Sequence, residues 1–384
     1  MKKILIIVPY FGVGGTISSL SAFLDNVNPE ILHVDIFARK RKGEYLDKLQ
    51  NCTILPENTF LSSDLYCANI IKKTICRSLH ILNFALGKVG ISLFPIICKI
   101  GGKQMNTTSY DAVVSYQENL SGFLSYIPAK KRIGWIRSEY ERYLKVVGGK
   151  DESKNYKRID TVVAVSDFAK GSFLKVHPWH PNVITINNYM NIESIRERSK
   201  DKSQISKEFR KGDFTIISVG RISPVKQFEK IPAILNDVRT RTSKDVRWYI
   251  VGGARGFDSI MRQMNADVEE YGLKESFKVL PETSNPFAYM AEADLFVHTS
   301  VSETYSRVVA ESKSVGTPVV VNNFEAAYEF VKDGVEGVIV PISKMAEAII
   351  DIITNEDNYN SFKHNLTSYK WHNDKIMKQT IEIL

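Results

Sequence analysis

The strongest constraint on the fold is the alternation of short apolar runs with helix-length segments along the whole chain. β-rich apolar runs occur at residues 3–8, 34–37, 112–115, 132–136, 161–165 and 183–186. A second series follows at 214–219, 247–251, 277–279, 295–298, 318–321 and 337–340. Uninterrupted apolar runs of this length suit parallel strands covered on both faces. Helical patterns lie between them, as at 227–240, 257–271 and 306–315. Strands alternating with helices form βαβ units, so two such series predict two doubly wound α/β domains in tandem.

A chain of 384 residues is long enough for two such domains. The charge-rich stretch 191–213 is the expected boundary. Residues 361–384 place Trp371, Ile376, Met377 and Ile381 at helical spacing, so a terminal amphipathic helix must dock on a domain. The four cysteines, Cys52, Cys67, Cys76 and Cys98, have no CxxC spacing and read as free thiols in a reducing cytoplasm. The start, Met1-Lys2-Lys3 followed by Ile4–Val8, has too short an apolar run for a signal peptide and reads as a buried first strand.

Net charge is +8, which alone does not choose among solubility, nucleic acid and an anionic membrane. Its distribution says more. Residues 130–158 hold ten Lys/Arg against four Asp/Glu, interleaved with Trp135, Tyr140, Tyr143 and Tyr156. That suits an anionic membrane surface or a charged substrate, or else a solvated helical face. Residues 70–100 are apolar, but Lys72, Lys73, Arg77 and Lys88 interrupt them, so the stretch does not span a bilayer. Two readings stay open: a core helix pair, which is preferred, and a pair lying on a membrane.

Three motifs carry chemistry. In Val219-Gly220-Arg221-Ile222-Ser223-Pro224-Val225-Lys226 a strand ends at the glycine, where parallel sheets place ligands, and two cations follow on a loop. A guanidinium fork and a compact ammonium together suit a diphosphate. In Ser302-Glu303-Thr304-Tyr305-Ser306-Arg307-Val308-Val309-Ala310-Glu311 a helix is expected near Ser306, with Glu303 before it and Glu311 inside it. A helix start attracts phosphate, and carboxylates accept from adjacent sugar hydroxyls. Anion plus polyol describes a nucleotide sugar; capping by Glu303 and a surface ion pair at Glu311 is the structural alternative. The third motif is Gly12-Val13-Gly14-Gly15 after the first strand. It fails as a dinucleotide fingerprint, because Ile17 stands where a third glycine is needed and Arg39-Lys40-Arg41 where an acid is expected.

Together these motifs resemble glycosyltransferase family 4, the retaining GT-B enzymes. The resemblance is carried by Gly14-Gly15, Val165-Ser166-Asp167-Phe168, Ile186-Asn187-Asn188, Gly220-Arg221 with Lys226, Glu303 and Glu311 before Gly316-Thr317-Pro318-Val319-Val320, and Glu329, Asp333, Gly334 and Gly337. It implies two Rossmann-like domains facing a cleft: residues 1–195 bind acceptor, 196–360 bind the nucleotide sugar, and the helix in 361–384 crosses back onto the first. Arg221 and Lys226 would bind the donor diphosphate, Glu311 the ribose, and Glu303 with Thr304 the transferred sugar. Amides of Tyr305 and Ser306 would support sugar or phosphate, and Gly14 and Gly15 would approach the phosphates. Relatives carry His in a Trp-Ile-His segment at the acceptor cleft; here it is Trp135-Ile136-Arg137. Thr304 stands where relatives often have Gly, and Pro281 departs similarly.

The implied activity is metal-independent transfer of a hexose, UDP-linked, to a hydroxyl of a glycan or lipid-linked acceptor, as in cell-surface polysaccharide synthesis. No cofactor and no nucleic-acid partner are expected, and the implied location is cytoplasmic, peripheral on a membrane. A GT-B sugar-nucleotide epimerase and a nucleotide-sugar-binding protein without catalysis are the alternatives.

Overall fold

In the computed structural model the described residues are all but 13, 59–60, 63–69, 88, 90, 105–109, 128, 150–151 and 255. The side chains of 72–73, 76, 80, 103–104 and 125–126 are likewise outside the description. Two compact units are present: Met1–Met190 with His372–Leu384, and Asn191–Trp371.

The first unit holds a seven-stranded parallel sheet made of β1 (Lys2–Tyr10), β2 (Leu32–Lys40), β3 (Thr53–Ile54), β4 (Ala112–Ser115), β5 (Arg132–Ile136), β6 (Thr161–Ala164) and β7 (Val183–Thr185). Its order is β3-β2-β1-β4-β5-β6-β7. Ile4, Leu5, Ile7 and Val8 are fully buried, which explains why that run is apolar without alternation. The Val-Ser-x-Phe segment is a capped helix start: Ser166 Oγ accepts from Ala169 N at 3.1 Å, opening the helix Asp167–Val176. The terminal helix spans Asn373–Ile383, so Trp371 precedes it. It buries Ile376 and Thr380 in the first unit, and Asn373 Nδ2 donates to Met190 O at 2.6 Å.

The second unit holds a six-stranded parallel sheet made of β8 (Phe214–Val219), β9 (Val246–Val251), β10 (Phe277–Leu280), β11 (Leu295–His298), β12 (Val319–Asn322) and β13 (Gly337–Val340). Its order is β10-β9-β8-β11-β12-β13. The direction of winding reverses between β8 and β11, which makes their carboxyl ends the ligand-binding switch point of such a sheet. A buried relay ties these strands near that end. Trp248 Nε1 donates to Ser218 Oγ (3.1 Å), and Ser218 Oγ donates to Val297 O (2.6 Å).

All twelve expected runs are strands. The thirteenth, β3, is two residues long at the sheet edge. The helix expected from 227 begins instead at Ile231 and runs to Arg241. Gln227 is left-handed (φ 49°) and separates short turns at Pro224–Lys226 and Phe228–Lys230, a conformation that a helix cannot include.

Two expectations about the first unit need correction. The preferred core reading of 70–100 holds only in part, at Ile97 and Cys98, which are buried. This stretch forms the helices Ile70–Gly87 and Phe94–Gln104, and large apolar side chains on both face solvent, Ile70 at 79% exposure and Phe84 at 71%. Conversely, the aromatics of 130–158 are not presented to solvent. Trp135, Tyr140 and Tyr156 are buried, with Tyr140 and Tyr156 packed on Phe173 and His177. Those three rings therefore belong to the core, while Tyr143 is half-buried; Lys150 and Asp151 lie outside the described residues. Cys52 and Cys98 are free thiols, burial pushing them up to about 11 and about 12; Cys67 and the Cys76 side chain lie outside the description. Among the described residues no helix is long and apolar enough to cross a membrane.

Candidate active site

The loop after β8 and the loop after β11 leave the second sheet side by side, because their strands are neighbours. Gly220 ends β8 with φ +151°, where a side chain would be strained, and a Cβ there would lie 3.3 Å from Lys226 Cε. Glycine at this position thus allows the turn and lets the lysine stem fold back across it. The two loops are latched: Val301 N donates to Val225 O at 2.9 Å, and Thr299 Oγ1 donates to Lys226 O at 2.5 Å. Asn322, at the end of β12, braces the second loop by donating to Ser300 O at 3.0 Å.

These latches bring Lys226 and Glu303 together, seventy-seven positions apart in sequence. Lys226 Nζ donates to Glu303 Oε1 at 2.6 Å, and Ser300 Oγ donates to the same oxygen at 3.0 Å. Both side chains are mostly buried. Burial would raise the Glu303 carboxyl, but the Lys226 ammonium and the Ser300 hydroxyl outweigh it and hold it below its ordinary value. Glu303 is therefore an ionised acceptor, and it does not cap the following helix, whose N-cap is Ser306 with no side-chain cap bond. Arg221 is exposed in the same loop as Lys226.

Glu311 lies on the helix Arg307–Ser314 and is 7% exposed. Burial raises its carboxyl above the usual range, and Arg307, one turn earlier, counters in part, with Nη2 at 3.4 Å from Oε1. The expected alternative of a surface ion pair is thus half right: the partner is present and the pair is buried. Thr304 is half-buried. The Tyr305 ring is core, edge-on to Phe330 (5.3 Å) and Trp371 (5.9 Å), which fixes the backbone where the helix begins.

Sequence reasoning missed His298. It is the last residue of β11 and is fully enclosed; its Nε2 lies 3.1 Å from Ser306 Oγ, 3.3 Å from Ser300 Oγ and 3.6 Å from Glu303 Oε1. Burial first, then the charge on Lys226, push its pKa down to about 3. It therefore stays neutral at physiological pH and joins the two serine-bearing turns to the carboxylate. A histidine whose folded pKa is lowered leaves the unfolded chain binding the extra proton, so stability falls as pH drops from about 6.5 towards 3. Between pH 7 and pH 5 the expected loss is about 2 kcal/mol. Urea unfolding of the second unit at both values should show it, and His298→Gln should flatten that slope. An equal slope in the variant would place the proton uptake elsewhere.

The first unit places its own candidates at the corresponding reversal of its sheet, between β1 and β4. Gly14 precedes the helix Gly15–Asn26, whose start has no side-chain cap, and Val13 lies outside the described residues. Arg137 follows β5. It stacks on the Tyr116 ring (3.9 Å to the centroid), donates from Nε to Tyr116 O at 2.9 Å, and donates from Nη1 to Asn188 Oδ1 at 2.5 Å. Its backbone N–H donates to the buried Glu118 carboxylate. The asparagine pair of the Ile-Asn-Asn segment is thereby explained: Asn188 holds Arg137, and Asn187 donates to Val165 O at 3.0 Å.

Residues 199–368 match the family model described as "Glycosyl transferases group 1". Among curated proteins, the chain is 27% identical over 156 residues to a Campylobacter jejuni N-acetylgalactosaminyltransferase that acts on a diphospho-undecaprenol-linked sugar, covering 40% of this chain and 39% of that one. It is 29% identical over 127 residues to the D-inositol 3-phosphate glycosyltransferase of Xylanimonas cellulosilytica, covering 33% of this chain and 30% of that one. The matched stretches thus span well under half the length of either relative. Among solved structures, Anabaena HepE in complex with UDP and glucose superposes with a TM-score of 0.74 at 18% identity, covering 100% of this chain and 99% of that one. The fold class expected from the sequence, GT-B with two parallel-sheet Rossmann-like units, holds.

Proposed function

We propose that the chain is a glycosyltransferase of family 4 that moves a hexose from a UDP-linked sugar to a hydroxyl of a glycan or lipid-linked acceptor, with retention and without a metal. The observation that carries this reading is the Lys226–Glu303 pair at the switch point of one sheet, with Arg221 on the same loop as Lys226 and buried Glu311 on the helix after Glu303. A diphosphate arriving there meets the Arg221 guanidinium and the Lys226 ammonium. As the bond to the sugar breaks, negative charge grows on the leaving phosphate, and pre-placed cations stabilise it without reorganising. Glu303, already ionised, accepts from hydroxyls of the sugar, and Thr304 sets the room beside it. Glu311 takes the ribose hydroxyls, and the Tyr305 and Ser306 amides support the sugar or phosphate. From the first unit, Gly14 and Gly15 serve the phosphates and Arg137 the acceptor. The retaining outcome rests on the resemblance in sequence. The matched family model, the glycosyltransferase relatives and the UDP-bound neighbour support the donor class. The cytoplasmic location and the polysaccharide role belong to the same proposal.

The test is nucleotide release. The protein is mixed with a panel of nucleotide sugars, with and without glycan and lipid-diphosphate acceptors, and both products are followed by mass spectrometry. Acceptor-dependent release of UDP with a new glycosidic product supports transfer. Release of UDP with a free, inverted sugar and no need for acceptor would support the epimerase reading. Binding without turnover on any pair would support a protein without catalysis.

A further inference from the structure

The helices Ile70–Gly87 and Phe94–Gln104 present an unusual surface. Ten of the nineteen exposed large apolar side chains among the described residues fall within 70–100. They include Ile70, Ile71, Ile81 and Phe84 on the first helix, Val89 in the connection and Ile96 on the second. Scattered single apolar residues on a surface need no explanation, but a run of ten along one helical pair does. The charge pattern is as one-sided. Between Asp64 and Asp111 the chain has six Lys/Arg and no Asp or Glu. Among the described residues no other stretch joins so many exposed apolar side chains to cations without a single anion.

We propose that this helical pair docks on an anionic lipid surface. An interfacial element lays apolar side chains about 5–10 Å into the boundary between headgroups and acyl chains, while its cations meet the lipid phosphates. The first helix has eighteen residues, too many of them charged for it to span a bilayer, so it lies on the surface. Charge complementarity selects this occupant. A second copy of the chain seated on the same face would set cations against cations. The inference rests on the first unit's surface alone and stands whether or not the transfer reading holds.

Co-sedimentation of the full chain with phosphatidylcholine vesicles, with and without phosphatidylglycerol, tests it. Wild type is expected in the pellet with anionic vesicles at low salt, to leave it as salt rises, and to bind neutral vesicles less. Ile81→Glu with Ile96→Glu should lower anionic partitioning by about tenfold or more, since both insertion and charge attraction are lost. Both side chains are more than half exposed, so the fold and its melting curve should be unchanged. Arg77→Glu with Lys99→Glu gives an independent reading of the charge dependence. No sedimentation of wild type at low salt would overturn the proposal, as would variants that bind like wild type. Sedimentation velocity adds a further outcome: a wild-type dimer that the Glu variants dissociate, with no lipid binding, would assign the face to a second copy.

Discussion

Lys226→Ala is expected to lower turnover about 100- to 1,000-fold while the protein stays folded. The magnitude is that of losing one pre-oriented donor to a developing anion, roughly 2.7–4 kcal/mol. Lys226 should be the more damaging of the two cation deletions. Its stem crosses Gly220, its carbonyl is held by Thr299, and its ammonium sits 2.6 Å from Glu303, so its position is set before substrate arrives. Arg221 is exposed on the same loop and must be ordered by the ligand, which reduces its net contribution. The deletion has a second consequence. Without the ammonium, the largest influence holding the Glu303 carboxyl down is gone, and burial then pushes it up. The variant should therefore lose activity most steeply on the acid side. Lys226→Arg is not expected to rescue, because a planar fork cannot replace a compact ammonium beside Gly220. Steady-state kinetics with circular dichroism as a folding control decide it, and wild-type turnover in Lys226→Ala would remove the diphosphate role.

Glu311→Gln is expected to weaken binding of UDP itself by about 10- to 100-fold, whereas Glu303→Gln should leave UDP binding nearly unchanged and lose affinity for the intact nucleotide sugar. Hydrogen bonds to a charged group are worth about 1.5–3 kcal/mol, which sets the range. The division follows from position: Glu311 lies inside the helix, paired with Arg307, while Glu303 lies in the loop and shares Lys226. Glu311→Gln also frees Arg307 to approach the phosphates, which offsets part of the loss and argues for the lower end. Calorimetric titration of UDP and of the nucleotide sugar into both variants resolves the two roles; equal losses of UDP in both would contradict them.

The strands were legible in the sequence because they are continuous apolar runs, most of them buried, and Arg221, Lys226 and Glu303 because they lie on loops at strand ends, with Glu311 on the helix that follows. What was not legible came from tertiary contacts. β3 is too short to show a pattern. Gln227 adopts a left-handed backbone that its residue type does not announce. His298 reads as the end of the apolar run Leu-Phe-Val-His, and only the folded loop after β11 brings Ser300, Ser306 and Glu303 to its ring. Arg307 and Glu311 do stand at helical i, i+4 spacing, so that partner was visible in principle. The exposure of most large apolar side chains of 70–100 and the burial of Trp135, Tyr140 and Tyr156 were not legible either. Composition records that a stretch is apolar or aromatic, not whether another element covers it.

The central claim is that the switch point of the second unit binds the donor nucleotide through Arg221, Lys226 and Glu311. A crystal structure of the full chain grown with UDP tests it most directly. The account predicts the diphosphate within about 2.7–3.2 Å of Lys226 Nζ and the Arg221 guanidinium, with the ribose hydroxyls on the Glu311 carboxylate. UDP seated on other residues, or Lys226 still paired only with Glu303 beside a bound diphosphate, would contradict it.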